Sequence, residues 1–420
     1  MAPALLNSDF WVDGLGPVKS SEPKTVVEII ETVQNASADG LAIFPLGGRT
    51  TLDLGLSPSR PGIGLDLRNL NQVIAYPARD MTITVQAGIT IAKLQEILAG
   101  ENQRLPIDVP LADRATLGGA IVANASGPRR YGFGTWRDYV IGISVINDQG
   151  HEVKAGGRVV KNVAGYDMAK LYIGSLGTLG IISQVTLKLK PRPEEQALMI
   201  LECPPESVKS ILDRLHASKT RPVCIELLNP AVVQAINKQP PGLLPKSAQW
   251  MIIVGFEDNS QAVAWQIEQL IKERLPESTG GLITRFSVTA DPLWQALIDF
   301  PLRPDSTLSF KANMVSSATA DFCLHAEELI PGIQIQAHAG NGIVIGHIVD
   351  LGTVSQVRAT LERLQAAAIA GQGNVVVTRC LPEWKRELPV WGVPRADAWL
   401  MRAVREKLDP HQLFNPGRMG

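Results

Sequence analysis

Three glycines and three alanines crowd the segment Thr116–Arg130 (TLGGAIVANASGPRR), around an Asn and a Ser and ahead of two arginines. Small residues at that density let a backbone lie directly against a flat or anionic ligand and offer its N–H groups as donors. A second cluster, Pro45–Thr51 (PLGGRTT), precedes it, and a third, Gly174–Gly180 (GSLGTLG), follows it. Any one of them could be only a turn, because glycine enters tight turns for conformational reasons alone. Three within the first half fit one large nucleotide cofactor touched from several sides.

The chain has 420 residues, enough for two or three domains with proper cores. A formal net charge of -1 gives no electrostatic case for nucleic acid, and aromatics at 5% leave little for stacking single strands. The four cysteines, Cys203, Cys224, Cys323 and Cys380, lack the close spacing of a zinc or iron–sulfur site, so no metal site is expected. Scattered thiols fit a reducing cytoplasm. The N-terminal residues lack a basic region followed by an apolar core, so no signal peptide is expected. No stretch reaches the roughly 18 apolar residues that cross a bilayer, and the expected location is cytoplasmic, with membrane association only peripheral and through a complex.

Apolar spacing predicts a helix over 25–38, then a short strand at Leu41–Phe44 running into the first glycine loop. A strand is predicted at Met81–Gly88, with Ile83 and Val85 inward and threonines outward. Thr90 caps a helix closed by Gly100. Val140–Ile146, the turn Asn147–Gly150 and His151–Lys154 read as a hairpin, and Ile181–Leu189 as a strand. Pro191–Pro193 is a stiff exit. Beyond it, strand-like runs (197–201, 223–228, 251–256, 307–314, 343–349, 374–379) alternate with amphipathic helical runs. That pattern suggests an antiparallel sheet with helices on one face, an α+β unit. The expected organisation is a cofactor domain over 1–193, a cap over 194–400, and a tail over 401–420 that packs back onto the first domain.

Gly174–Gly180 superficially mimics a dinucleotide fingerprint, but it leads into a strand and has the wrong glycine spacing. No Walker-type Gly-Lys-Ser/Thr occurs. Ordinary NAD and ATP sites are therefore disfavoured. Taken together, the three loops and the terminal Phe414–Arg418 resemble the vanillyl-alcohol-oxidase (PCMH) type of FAD-binding flavoproteins, and most closely the E subunits of bacterial glycolate oxidase, also called glycolate dehydrogenase. Ser126–Arg130, Arg137-Asp138, Lys161–Asp167, Gly174–Gly180 and Thr186–Pro193 carry the match, with Val390–Gly392 and the tail.

The resemblance implies an α+β fold: a two-part PCMH-type FAD-binding domain plus an α+β cap with an antiparallel sheet. It implies that Pro45, Leu46, Gly47, Gly48, Arg49, Thr50 and Thr51 hold the FAD pyrophosphate through backbone N–H groups. Thr116, Leu117, Gly118 and Gly119, with Asn124, Ser126 and Gly127, form a second strip along the flavin and phosphates. Gly174, Ser175, Gly177, Thr178, Gly180 and Ile182 match the adenine side, and Asn415 the isoalloxazine edge. Leu176 departs from the Glu common in related 2-hydroxyacid dehydrogenases, which reads as tuning. Relatives tether flavin through a His in the first loop, a Cys near the second, or a Tyr in the cap. With no His before His151, no Cys before Cys203 and no Tyr after Tyr172, the expected FAD is non-covalent.

Catalytic members of this superfamily use a metal-binding His pair plus a Glu-His dyad, the metal polarising the substrate hydroxyl while a His takes its proton. Here His338 matches the first His, Ile345 stands where the second is expected, and Asn374–Cys380 replaces the dyad run. His338 then reads as a structural loop histidine, a weak ligand or a base, and His347 as a core or sheet-face residue. Arg303 and Lys311 could hold a carboxylate or be merely solvated or salt-bridged. Arg129 and Arg130 could balance phosphate charge or dock a partner. The resemblance thus implies an FAD-binding subunit of a glycolate (2-hydroxyacid) dehydrogenase complex, with a paralogous FAD subunit and an iron–sulfur subunit as partners. A stand-alone dehydrogenase and a cofactor-free assembly subunit are the alternatives.

Overall fold

The computed structural model describes residues 10–158, 166–238, 241–273, 282–303, 306–350 and 352–420. In chain order to residue 192 the elements are β1 (Lys19–Ser21), α1 (Val26–Ala38), β2 (Ala42–Leu46), β3 (Gly62–Asp66), β4 (Val73–Ala75), β5 (Thr82–Gln86), α2 (Ile91–Ala99) and β6 (Gln103–Arg104). There follow α3 (Leu117–Val122), α4 (Arg130–Phe133), α5 (Trp136–Tyr139), β7 (Val140–Ile146), β8 (Glu152–Gly156), α6 (Ala169–Tyr172), β9 (Ile181–Lys188) and β10 (Lys190–Pro191). The chain divides into two compact units: residues 1–125, 135–192 and 394–420 form the first, and 126–134 with 193–393 the second. Against the expected segments, 126–134 leaves the first stretch for the second unit, and the returning tail starts at 394 instead of 401.

The first unit contains two main sheets. One is parallel, in the order β1-β3-β2, and the tail extends it because Phe414 bridges Ile43 in parallel. Ile29, Val33 and Ala36 of α1 pack with Ile43, Leu65 and Phe414 in one core. Thr25 caps α1 by accepting from Glu28 N, which is why the helix starts there. The other sheet is antiparallel, β4-β5-β9-β7-β8, and includes the expected hairpin. Its threonines are not outward: Thr84 and Thr186 are buried and share a cross-strand hydrogen bond of 2.9 Å. Alternation misleads where both faces of a sheet are covered.

The second unit adds β11 (Glu195–Cys203), α7 (Val208–Ala217), β12 (Cys224–Leu228), α8 (Pro230–Ile236), β13 (Trp250–Asp258), α9 (Ser260–Lys272), β14 (Ile283–Phe286) and α10 (Asp291–Asp299). Then come β15 (Leu308–Asn313), α11 (Thr319–Leu329), β16 (Gln334–His338), β17 (Ile343–Ile348), α12 (Val354–Ala370) and β18 (Asn374–Arg379). The last helix, α13 (Ala398–Leu408), belongs to the first unit. The sheet is eight-stranded and antiparallel in every pairing, in the order β14-β11-β13-β12-β16-β17-β15-β18. Helices are not confined to one face. Val232 and Val233 of α8 and Leu293, Trp294 and Leu297 of α10 cover the face bearing Leu198, Ile200, Met251, Ile253, Ile343 and Ile345. Val254, Phe256, Val344 and Phe310, of opposite parity on their strands, are fully buried too.

Candidate functional site

A cleft in the first unit encloses about 910 Å³, counting the part open to solvent. Pro45 and Leu46 at the end of β2, and Gly47, Gly48, Arg49, Thr50 and Thr51 directly beyond it, all line it. Thr116, Gly118, Gly119, Gly177, Gly180, Ile182 and Asn415 complete the expected set found there. Glycine is required in the first loop by close approach: a Cβ on Gly47 would lie 2.1 Å from Thr116 Oγ1, and one on Gly48 1.8 Å from the Arg114 carbonyl oxygen.

The three loops do not contribute alike. Among the described residues, no backbone N–H of Gly47 through Thr51 has a protein acceptor. In the second strip the donors of residues 117–120 are spent: Leu117 N on Ile89, Gly118 N on Ala87, Gly119 N on Thr116 Oγ1 and Ala120 N on Thr116. The third loop is self-satisfied over its first five residues, with Gly174 N on Ile121, Ser175 N on Tyr172, Leu176 N on Val122, Gly177 N on Ser175 Oγ and Thr178 N on Ser175. The first loop thus lines the cleft with five consecutive donors that no protein group accepts, an arrangement suited to an anionic ligand.

Side chains agree. Arg49, in the left-handed region at φ 56, has a buried Nε without a protein acceptor, while its Nη2 holds Asp66 at 2.6 Å. Burial alone would raise the Asp66 carboxyl, but hydrogen bonds and charge from Arg68, with the charge of Arg49, keep its pKa below the ordinary carboxylate value. Asn124 Oδ1 is also buried and unpaired. Diphosphate oxygens in the cleft would satisfy Arg49 Nε.

The remaining expectations fall elsewhere. Leu117 is a core residue, and Ser175 and Thr178 are buried, bonding within their own turn. Ser126 and Gly127 lie on the segment that packs with the second unit, where Ser126 Oγ accepts from Arg130. Arg129 is committed there too: Nε donates to Glu257 at 2.6 Å, and the guanidinium stacks 3.8 Å over the Trp294 ring. Of the run Lys161–Asp167, residues 161–165 lie outside the described residues, as does Pro304 beside Arg303. Leu176, Val122 and Arg418 line the cleft and were not expected. Arg418 carried a signal, as the end of the quoted Phe414–Arg418 motif.

In the second unit His338 is not a loop residue but the buried end of β16, directly opposite Glu226 on β12. His338 Nδ1 and Glu226 Oε1 are 2.8 Å apart, and Gln336 Nε2 donates to the same carboxylate at 2.7 Å. A carboxylate on Nδ1 fixes the imidazole's orientation and leaves Nε2 as its second polar atom. Glu226 was missed because 112 residues separate it from His338. His347 is a buried sheet-face residue, 2.8 Å from both Ser309 Oγ and the Phe300 carbonyl. Burial pushes its pKa down to about 4, helped by the charges of Arg303 and Arg379 and opposed by the Phe300 bond. Lys311 has its pKa lowered to about 8 by burial and the neighbouring Arg130 charge. Arg303 reaches the Ala235 carbonyl at 3.4 Å. Among the described residues no group of three or more His, Cys, Asp or Glu could hold a metal ion.

A donor-lined cleft over a small parallel sheet, with a large antiparallel sheet in the other unit, defines a two-unit nucleotide-cofactor flavoprotein. The family described as FAD binding domain matches residues 20–156, and FAD linked oxidases, C-terminal domain, matches residues 192–333. The chain belongs to the PCMH-type FAD flavoproteins, within the FAD-linked oxidases; FAD is its cofactor and it is an oxidoreductase. It is 24% identical to glycolate oxidase subunit GlcD of Bacillus subtilis (strain 168), covering 94% of this chain and 87% of that one. Over 168 residues it is 34% identical to glycolate oxidase subunit GlcE of Escherichia coli (strain K12), covering 39% of this chain and 47% of that one. Other relatives are named D-lactate and D-2-hydroxyglutarate dehydrogenases. The fold is shared with p-cresol methylhydroxylase, at 15% identity and a TM-score of 0.73, covering 95% of this chain and 88% of that one.

Proposed function

We propose that this chain is the FAD-binding subunit of a glycolate (2-hydroxyacid) dehydrogenase complex, working with a paralogous FAD subunit and an iron–sulfur subunit. Two observations carry it: the unspent run of N–H donors at Gly47–Thr51 in the first unit, and, in the second unit, a histidine pair broken by Ile345. The FAD diphosphate sits on that run, with Arg49 Nε as a further donor, and is held without a covalent bond. The flavin supplies a two-electron acceptor; the residues of this chain bind it and exclude water around it. The similarity to GlcE over 168 residues supports the subunit role, and the GlcD similarity supports the class of chemistry. The complex is cytoplasmic; no helix among the described residues is long and apolar enough to cross a membrane, and any membrane contact is peripheral and made through the complex.

Expressed alone, the chain should carry FAD yet be bleached only slowly by glycolate or D-lactate under anaerobic conditions, and an affinity tag should bring down a second flavoprotein and an iron–sulfur polypeptide. Fast bleaching by the isolated chain would instead support a second reading, a stand-alone 2-hydroxyacid dehydrogenase. The buried Glu226–His338 pair favours that reading, with His338 Nε2 as proton acceptor and Lys311 or Arg303 holding the substrate carboxylate. A cofactor-free assembly role is excluded if purified protein shows flavin absorbance.

A further inference from the structure

Arg418, two residues before the last of the sequence, is buried in the first unit and lines the cleft. Its Nη1 donates to Asp13 at 2.5 Å and to the Leu56 carbonyl at 2.8 Å; its Nη2 donates to the carbonyls of Leu52 and Leu54. Those three carbonyls belong to the segment that continues directly from the donor run Gly47–Thr51. The backbone completes the clasp, since Leu56 N donates to Arg418 O and Ser59 N to Pro416 O. On the other side of the same tail, Asn415 N donates to Ile43 O, at the foot of the first loop, and Asn415 Nδ2 to Leu176 O at 2.8 Å, in the third loop. A planar guanidinium with five fixed donors suits this collecting role; a lysine ammonium has only three.

We infer that Arg418 is a positioning residue for FAD: it gathers the carbonyls of Leu52, Leu54 and Leu56 and so fixes the first loop with its N–H donors open to the diphosphate. Docking of the tail and binding of FAD are then one linked equilibrium, and each must strengthen the other by the same factor. The inference rests on the reading of Pro45–Thr51 as the diphosphate loop. Arg418 makes no demand on the cofactor itself, because its two Nη groups are already spent on protein.

The test is titration of the full-length apo chain with FAD and, separately, with ADP, which carries the diphosphate without the flavin. Arg418→Gln should weaken both by about tenfold or more, the size usual for a partner one step removed from a ligand, and Arg418→Lys should recover part of the loss. Hydrogen exchange at residues 52–59 and 413–420 should slow on adding FAD to the wild type and much less in Arg418→Gln. Because Arg418→Gln removes the Arg418 charge from buried Asp13, the double variant Asp13→Asn/Arg418→Gln is measured beside it and should show the same loss. Unchanged FAD and ADP affinities in a folded variant, even with a lower melting temperature, would overturn the inference. Failure of the wild type to bind FAD would overturn the diphosphate reading instead.

Discussion

The two units place their polar chemistry in opposite ways. In the first, the groups that matter are backbone N–H donors on one short run, Gly47–Thr51, framed by glycines whose absent side chains make room for Thr116 and Arg114. In the second, they are side chains on one sheet or packed against it, paired across long separations: Glu226 with His338, Arg129 with Glu257, Ser309 with His347. A site built from backbone is contiguous in sequence and tolerates no side chain at its glycines. A site built from buried pairs is scattered, and each member is stabilised only by the other.

The largest effect should come from breaking the first kind of site. Gly48→Val drives a side chain into the Arg114 carbonyl, 1.8 Å from the ideal Cβ. FAD affinity should fall by about a hundredfold, roughly 3 kcal/mol, read as the loss of flavin absorbance in purified protein. The second unit's Glu226–His338 network should be untouched, so melting of that unit should not shift.

Next in size is Glu226→Ala, which strands His338 and Gln336 in the interior at a cost of about 2–3 kcal/mol. Calorimetry should show the second unit melting several degrees lower, while FAD titration of the first unit gives the wild-type value. A loss of FAD affinity here would dissolve the contrast between the units.

A smaller, pH-dependent effect belongs to His347. Its pKa in the folded state is lowered to about 4 from the ordinary 6.5. The unfolded chain therefore binds a proton that the native state refuses, and stability falls as pH drops from about 6.5 toward 4. His347→Gln should flatten that part of the urea-denaturation profile. An equal slope in wild type and variant would mean that the imidazole is not held neutral.

Smallest is Lys311→Met. A lysine lowered from 10.5 to about 8 costs stability while charged, and the cost disappears as pH rises through 8 toward 10.5. The variant should match or exceed the wild type by up to about 1 kcal/mol at pH 7, and the gain should vanish by pH 10. Under the stand-alone reading the same variant would also weaken 2-hydroxyacid binding.

What the sequence disclosed follows the same division. Loop Pro45–Thr51, the capped helices α1 and α2 and the hairpin β7–β8 were legible because caps, turns and glycine clusters act over a few residues. The second strip was expected along the flavin and phosphates and the third loop on the adenine side; the structure spends several amides there on neighbouring carbonyls such as Ala87 and Val122, which no local pattern announces. β16 was not anticipated, so His338 read as a loop residue and its partner Glu226 passed unnoticed. Thr84 read as outward for a related reason, since only the fold supplies the second covering layer and the opposite hydroxyl of Thr186. Arg418 was visible as a motif residue, but its work on Leu52, Leu54 and Leu56 depends on a return of the chain across more than three hundred positions.

The claim beneath all of this is that the unspent amides of Gly47–Thr51 hold a dissociable flavin dinucleotide. Isothermal titration of the full-length apo chain with FAD, followed by acid precipitation, addresses it directly. One FAD should bind per chain, and the flavin should leave in the supernatant over a colourless pellet. No binding heat, or a yellow pellet, would contradict it.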